Sequence, residues 1–140
     1  MHSTVTTELE IKSSFEEMDR VVDFVDDFCV RESVNDAVRN KLHLIAEELV
    51  VNAVMHGYPG REDGWIALRL REMEKGIEIT YLDEAAPFDP LSEAIDPDLD
   101  AGLEEKRVGG LGIFLIREFA EDARYKRAGN RNTLSIVVCT

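Results

Sequence analysis

Cysteine is rare in this chain of 140 residues, with two, and positive charge is thin, with 16 Lys and Arg against 29 Asp and Glu. Cys29 and Cys139 stand alone, without paired or metal-type spacing, so no disulfide framework is written here. A reducing cytoplasm is the compartment that suits this usage. The formal net charge of -13 opposes sequence-independent binding to nucleic acid, whose phosphates it would repel. It permits a basic protein partner, and simple solubility accounts for it as well. A polyanionic ligand would need a local device against that field, such as backbone N–H groups or a metal. No apolar run approaches the ~20 residues of a membrane-crossing helix. Met1–Glu10 is polar and lacks the apolar segment of a secretory signal. His2, His43 and His56 join no cluster with metal-site spacing, and no Ser-His-Asp or Cys-His set stands out. No internal repeat or low-complexity tract is visible.

What is present is an ordinary apolar content of 44%, enough for one domain with a real core. Thr6–Lys12 alternates weakly through Leu9 and Ile11, which predicts an edge strand. Ser13 or Ser14 then caps a helix, with Glu16 or Glu17 closing a capping box. Phe15, Met18, Val22, Val25 and Cys29 form its expected buried stripe. A longer helix is expected from Ser33 to about His56, with a stripe of Val38, Leu42, Ile45 and Leu49, ended by Tyr58-Pro59-Gly60. Ile66, Leu68 and Leu70, then Ile77, Ile79 and Tyr81, alternate on either side of a turn at Glu74-Lys75-Gly76 and predict a hairpin. From Glu84 to Arg107 the rhythm breaks, with Pro87, Pro90, Pro97 and many acids. Loops of roughly that length are either lids or floppy insertions. A helix from Ile113 to about Ala120 and strands at about Ala123–Arg127 and Thr133–Val138, turning at Gly129-Asn130, complete the order. The expected fold is an α+β two-layer sandwich, a mixed and mostly antiparallel sheet with three main helices on one face.

Three segments can carry chemistry. In Glu48-Leu-Val-Val-Asn52-Ala-Val-Met-His56-Gly57-Tyr58, the acid and the amide are four residues apart on a helix and project the same way. Together they could hold a hydrated cation and polarise a nucleophile; the plainer alternative is a solvated polar edge. Gly109-Gly110-Leu111-Gly112 opens a helix, where free N–H groups attract phosphate. It fits neither the P-loop nor the dinucleotide-binding fingerprint. Asp83 ends a strand ahead of Pro87-Phe88-Asp89-Pro90, where a carboxylate can accept from an exocyclic amine or merely start a loop.

In this order and spacing the three segments resemble the ATP-binding domain shared by DNA gyrase, heat-shock chaperone ATPases and sensor histidine kinases. Within that group the chain is most similar to the short stand-alone serine kinases that act as anti-sigma factors. The resemblance covers essentially the whole chain and implies a single histidine kinase-like ATPase domain over residues 1–140, with an ATP lid at 84–108. It implies ATP and magnesium as cofactors. By the resemblance, Asn52 binds magnesium, Glu48 is the general base, and Asp83 recognises the adenine amino group. Gly110 and Gly112 cradle the phosphates, with Gly109 and Leu111 beside them. Thr133 sits near the adenine, and Lys106 or Arg107 reaches the terminal phosphate from the lid. His56 closes the helix and shapes the pocket. The chain departs from the family's Asp-x-Gly-x-Gly segment at Ala85 and Pro87. The Pro-Phe-Asp-Pro form belongs to the anti-sigma subgroup, whereas Ala85 adds a β-carbon where the backbone runs close to adenine.

The activity so implied is ATP-dependent phosphorylation of a small anti-sigma antagonist on Ser or Thr, with sequestration of a sigma factor, and homodimers are what the family forms. A sensor histidine kinase, with its phospho-acceptor helix pair, and a gyrase-like function, with its transducer, are not expected from these 140 residues. The rival expectations are a nucleotide-gated binding module with little kinase activity, kept alive by Ala85, and, behind it, a nucleotide-free scaffold. No direct nucleic acid or membrane contact is expected.

Overall fold

The computed structural model describes residues 6–87 and 118–139. The lid beyond Pro87, Lys106, Arg107, Gly109 to Gly112 and most of the expected third helix lie outside the described residues; of that helix, Glu118 and Phe119 are seen as helical.

The elements are β1 (Thr7–Lys12), a 3-10 turn (Phe15–Glu17), α1 (Met18–Arg31), α2 (Asp36–Asn52), a turn of π-helix (Ala53–Gly57), β2 (Trp65–Glu72), β3 (Gly76–Asp83), β4 (Ala120–Ala128) and β5 (Arg131–Cys139). The strands form one sheet in the order β1-β2-β3-β5-β4. The sheet was expected to be mixed and mostly antiparallel; all four described pairings are antiparallel. One face is apolar because alternate residues point the same way. Ile66, Leu68 and Leu70 of β2, Ile77, Ile79 and Tyr81 of β3, and Leu134, Ile136 and Val138 of β5 are all buried. They share one core with Val21, Val25 and Phe28 of α1 and Val38, Leu42, Ile45 and Leu49 of α2. Both helices therefore cover the same face of an α+β sandwich. The opposite face carries ion pairs of Arg69 with Glu8 (2.6 Å) and Arg71 with Glu78 (2.9 Å).

The buried stripe of α1 is rotated from the expected one. Val21, Val25, Phe28 and Cys29 face the core, Val22 lies at the border, and Phe15 is 52% exposed. Phe15 belongs to the 3-10 turn ahead of the helix, so its angular position does not continue the 3.6-residue period. Ser14 caps that turn by accepting from the Glu16 N–H, and the Glu17 carboxylate accepts from the Lys12 N–H (2.8 Å). Ser13 does something else: fully buried, its hydroxyl donates to Arg61 O and accepts from the Gly64 N–H, pinning the loop after α2 to the end of β1. Ser33 does not open α2. It takes φ +55° to close α1, with the Val34 N–H donating to Cys29 O, and Asn35 caps α2 through the Val38 N–H.

Gly76 shows why β3 can begin where it does. A β-carbon there would lie 2.0 Å from the carbonyl oxygen of Val138 on the neighbouring strand. Neither backbone can retreat without opening the β3–β5 ladder. Gly76→Ala is therefore expected to destabilise the fold by about 3 kcal/mol or more, read as a lower urea midpoint.

Candidate active site

The polar half of the site is built on the end of α2. Val38, Leu42, Ile45 and Leu49 turn into the core, and this leaves Glu48 and Asn52 half-buried at the border, one turn apart. Burial holds the Glu48 carboxyl above the usual range, and the charge of neighbouring Glu47 adds to the effect. Asn52 Oδ1 is buried and has no hydrogen-bond partner among the described residues. Such an orphan costs about 1–3 kcal/mol unless a ligand satisfies it. A neutral oxygen beside a carboxylate is a donor set that suits a hydrated magnesium ion. Among the described residues, no group of three His, Cys, Asp or Glu could hold a metal by itself.

Beyond Asn52 the helix widens. The Tyr58 N–H donates to Ala53 O five residues back, a single π turn. This turn brings Gly57 against the end of β3. A β-carbon at Gly57 would lie 3.4 Å from Ala85 Cβ and 3.9 Å from Asp83 Oδ2. Gly57 therefore provides the room that the Ala85 side chain uses, and φ at Ala85 is not positive. His56 is exposed and stands on the outer side of the turn. Tyr58, buried, ties the two layers: its hydroxyl donates to Trp65 O and accepts from the Glu84 N–H, both at 2.7 Å.

Asp83 is 6% exposed at the last position of β3. Its Oδ1 accepts from the Ala85 N–H (3.1 Å), closing a turn of the kind Asp forms with its own backbone, and from Asn132 Nδ2 (2.7 Å). Its Oδ2 accepts from the Tyr81 hydroxyl (2.5 Å). Asn132 Nδ2 also reaches Ala86 O and Ala85 O, and Arg127 Nη1 donates to Ala85 O (2.7 Å). The residues after Asp83 are thus held down onto β4 and β5.

Thr133, expected beside the adenine, is not among these groups. It pairs with Leu82 and Lys126, one position out of phase with Asp83, so it faces the opposite side of the sheet with Ser135. Asn132, paired with Asp83, is the residue that meets it. The sequence held one signal for Asn132, an amide next to the β4–β5 turn in register with a strand-end acid, but register is legible only once the strands are paired. The structure brings Asp83 and Ala85 against Gly57 at the end of the π turn that follows Asn52. Lys106 and Gly109, Gly110, Leu111 and Gly112 lie outside the described residues.

An antiparallel sheet with helices on one face, and a buried acid at a strand end against the end of a helix, make this a two-layer α+β domain. The chain belongs to the histidine kinase-like ATPase domain family, whose model matches residues 11–138. It is similar to the serine/threonine-protein kinase BtrW of Bordetella bronchiseptica, 26% identical over 134 residues that cover 96% of this chain and 94% of that protein. It is also similar to the serine-protein kinase RsbW of Listeria monocytogenes, 28% identical over 127 residues that cover 89% and 80%. In fold it resembles a chain of the SiaB-SiaC complex of Pseudomonas aeruginosa, with a TM-score of 0.64 and 14% identity over 96% of this chain and 88% of that one. No described helix is long and apolar enough to cross a membrane.

Proposed function

We propose that this protein is an ATP-dependent protein serine/threonine kinase that phosphorylates a small anti-sigma antagonist and sequesters a sigma factor. The observation that carries the reading is the pairing of Glu48, half-buried and with a raised pKa, with the orphaned Asn52 oxygen one helical turn on. Similarity over nearly the full chain to two named serine kinases supports it. The resemblance to stand-alone anti-sigma kinases supports the choice of partner.

Phosphoryl transfer requires positioning and neutralised charge more than covalent help. Asp83 accepts from the adenine amine through Oδ2, the oxygen nearest Gly57. Asn52 Oδ1 would hold a magnesium ion, which when bound would neutralise phosphate charge that this acidic chain cannot. Glu48 takes the proton from the incoming hydroxyl, and its raised pKa brings it closer to the working pH of a base. Residues 84–108 act as lid, with Lys106 or Arg107 on the terminal phosphate, and Gly110 and Gly112, flanked by Gly109 and Leu111, line the phosphates. His56 shapes the pocket rim. The whole forms one domain, and two copies form a homodimer that works in the cytoplasm.

The test is incubation with γ-labelled ATP, magnesium and a purified antagonist. Stoichiometric label on a Ser or Thr of the antagonist is the expected outcome. ATP-dependent co-elution without label would replace the kinase by the nucleotide-gated binding module. Ala85 does not favour that alternative, because its β-carbon sits in the space Gly57 vacates.

A further inference from the structure

We infer that Tyr81 and Asn132 are positioning residues for purine selectivity: with the Ala85 N–H they fill three of the four acceptor positions of the Asp83 carboxylate and leave one for the 6-amino group of an adenine nucleotide. The inference rests on the reading of Asp83 as the purine-recognising acid and adds to it what makes that acid selective.

A carboxylate offers about four lone-pair positions and no donor. Both on Oδ1 are taken, by the Ala85 N–H and by Asn132 Nδ2. One on Oδ2 is taken by the Tyr81 hydroxyl. The last lies on Oδ2, which a β-carbon at Gly57 would approach to 3.9 Å. A 6-amino purine supplies the donor that this position lacks. A 6-oxo purine would set oxygen against oxygen at this position, and such a mismatch is what gives polar sites their selectivity.

Both donors are themselves fixed. Tyr81 and Asp83 are two apart on one strand and so share a face. Burial, reinforced by the charge of Asp83, pushes the Tyr81 hydroxyl well above its ordinary range, so it remains a donor. The Asn132 amide cannot turn over. Its Oδ1 accepts from the Tyr125 hydroxyl, while its Nδ2 faces Asp83 Oδ1, Ala85 O and Ala86 O. Reversal would aim an oxygen at three acceptors. Tyr125 in turn lies partly buried against the core.

Calorimetric titration with ATP, with inosine triphosphate (oxygen in place of the amine) and with purine riboside triphosphate (hydrogen there) tests this on wild type, Tyr81→Phe, Asn132→Ser and Asp83→Asn. Tyr81→Phe removes a hydrogen bond to a charged group and keeps the ring, so ATP should weaken about tenfold. Purine riboside triphosphate, which does not use the last acceptor position, should stay within about twofold. The preference for ATP over inosine triphosphate should narrow, and Asn132→Ser should repeat the pattern in a differently packed place. Equal weakening of ATP and purine riboside triphosphate in both variants, or no weakening of ATP in either, overturns the inference and leaves Asp83's role standing. Wild-type affinity for ATP in Asp83→Asn removes the underlying reading itself.

Discussion

Glu48→Gln is expected to lower kcat about 10²- to 10⁴-fold while ATP binding persists, and to make the protein more stable at neutral pH. Both effects have one origin. Burial and the charge of Glu47 raise the Glu48 pKa in the folded chain above its value in the unfolded one. The folded state then holds that proton more tightly, so this group's contribution to stability is full at low pH. It is lost as pH rises through the raised folded-state value. At neutral pH the wild type carries an ionised, partly desolvated acid that the amide variant lacks. The gain in Tm should disappear at about pH 3, where the carboxyl is protonated in both states. Glu47→Gln should move the acid limb of the kinase rate profile downward, because it removes the neighbouring charge. Melting curves at both pH values and a turnover assay measure all three effects. Unchanged phosphorylation by Glu48→Gln would take the role of base away from this residue.

Asn52→Ala should weaken magnesium-dependent ATP binding by about 100-fold or more, the scale expected when a metal site loses an oxygen. Its effect on the apoprotein separates this from ordinary damage. Truncating a hydrogen-bonded buried amide strands its partners and destabilises the fold. Here Oδ1 has no partner among the described residues, so its removal relieves an unmet acceptor. The variant should melt at the wild-type temperature or above, yet bind ATP no better with magnesium than with EDTA. Magnesium dependence of wild-type size would mean that another oxygen holds the ion.

Much of the architecture was legible because it rests on local periodicity. The stripe Val38, Leu42, Ile45 and Leu49 recurs at helical spacing, and all four are buried. The alternation through Ile66–Leu70 and Ile77–Tyr81 marked a hairpin whose strands do pair antiparallel. Asp83 was visible as an acid at a strand end because the alternation stops there. The start of α1 was less legible. The 3-10 turn breaks the period that assigned Phe15 and Val22 to the core, and only the packed helix shows that Val21 and Phe28 replace them.

Among the described residues, the sequence by itself determined where the two main helices and the strands lie, that one sheet face is apolar, and that Glu48, Asn52 and Asp83 fall at the polar ends of their elements. These follow from spacings of two, three and four residues along one chain, which side-chain direction converts into faces. Tertiary structure alone decided that Asn132 rather than Thr133 meets Asp83, that Gly57 makes room for Ala85, and that Tyr58 joins the end of α2 to the residue after β3. Each depends on a contact between elements far apart in sequence. A register shift of one residue exchanges the two faces of a strand, and no local pattern records it.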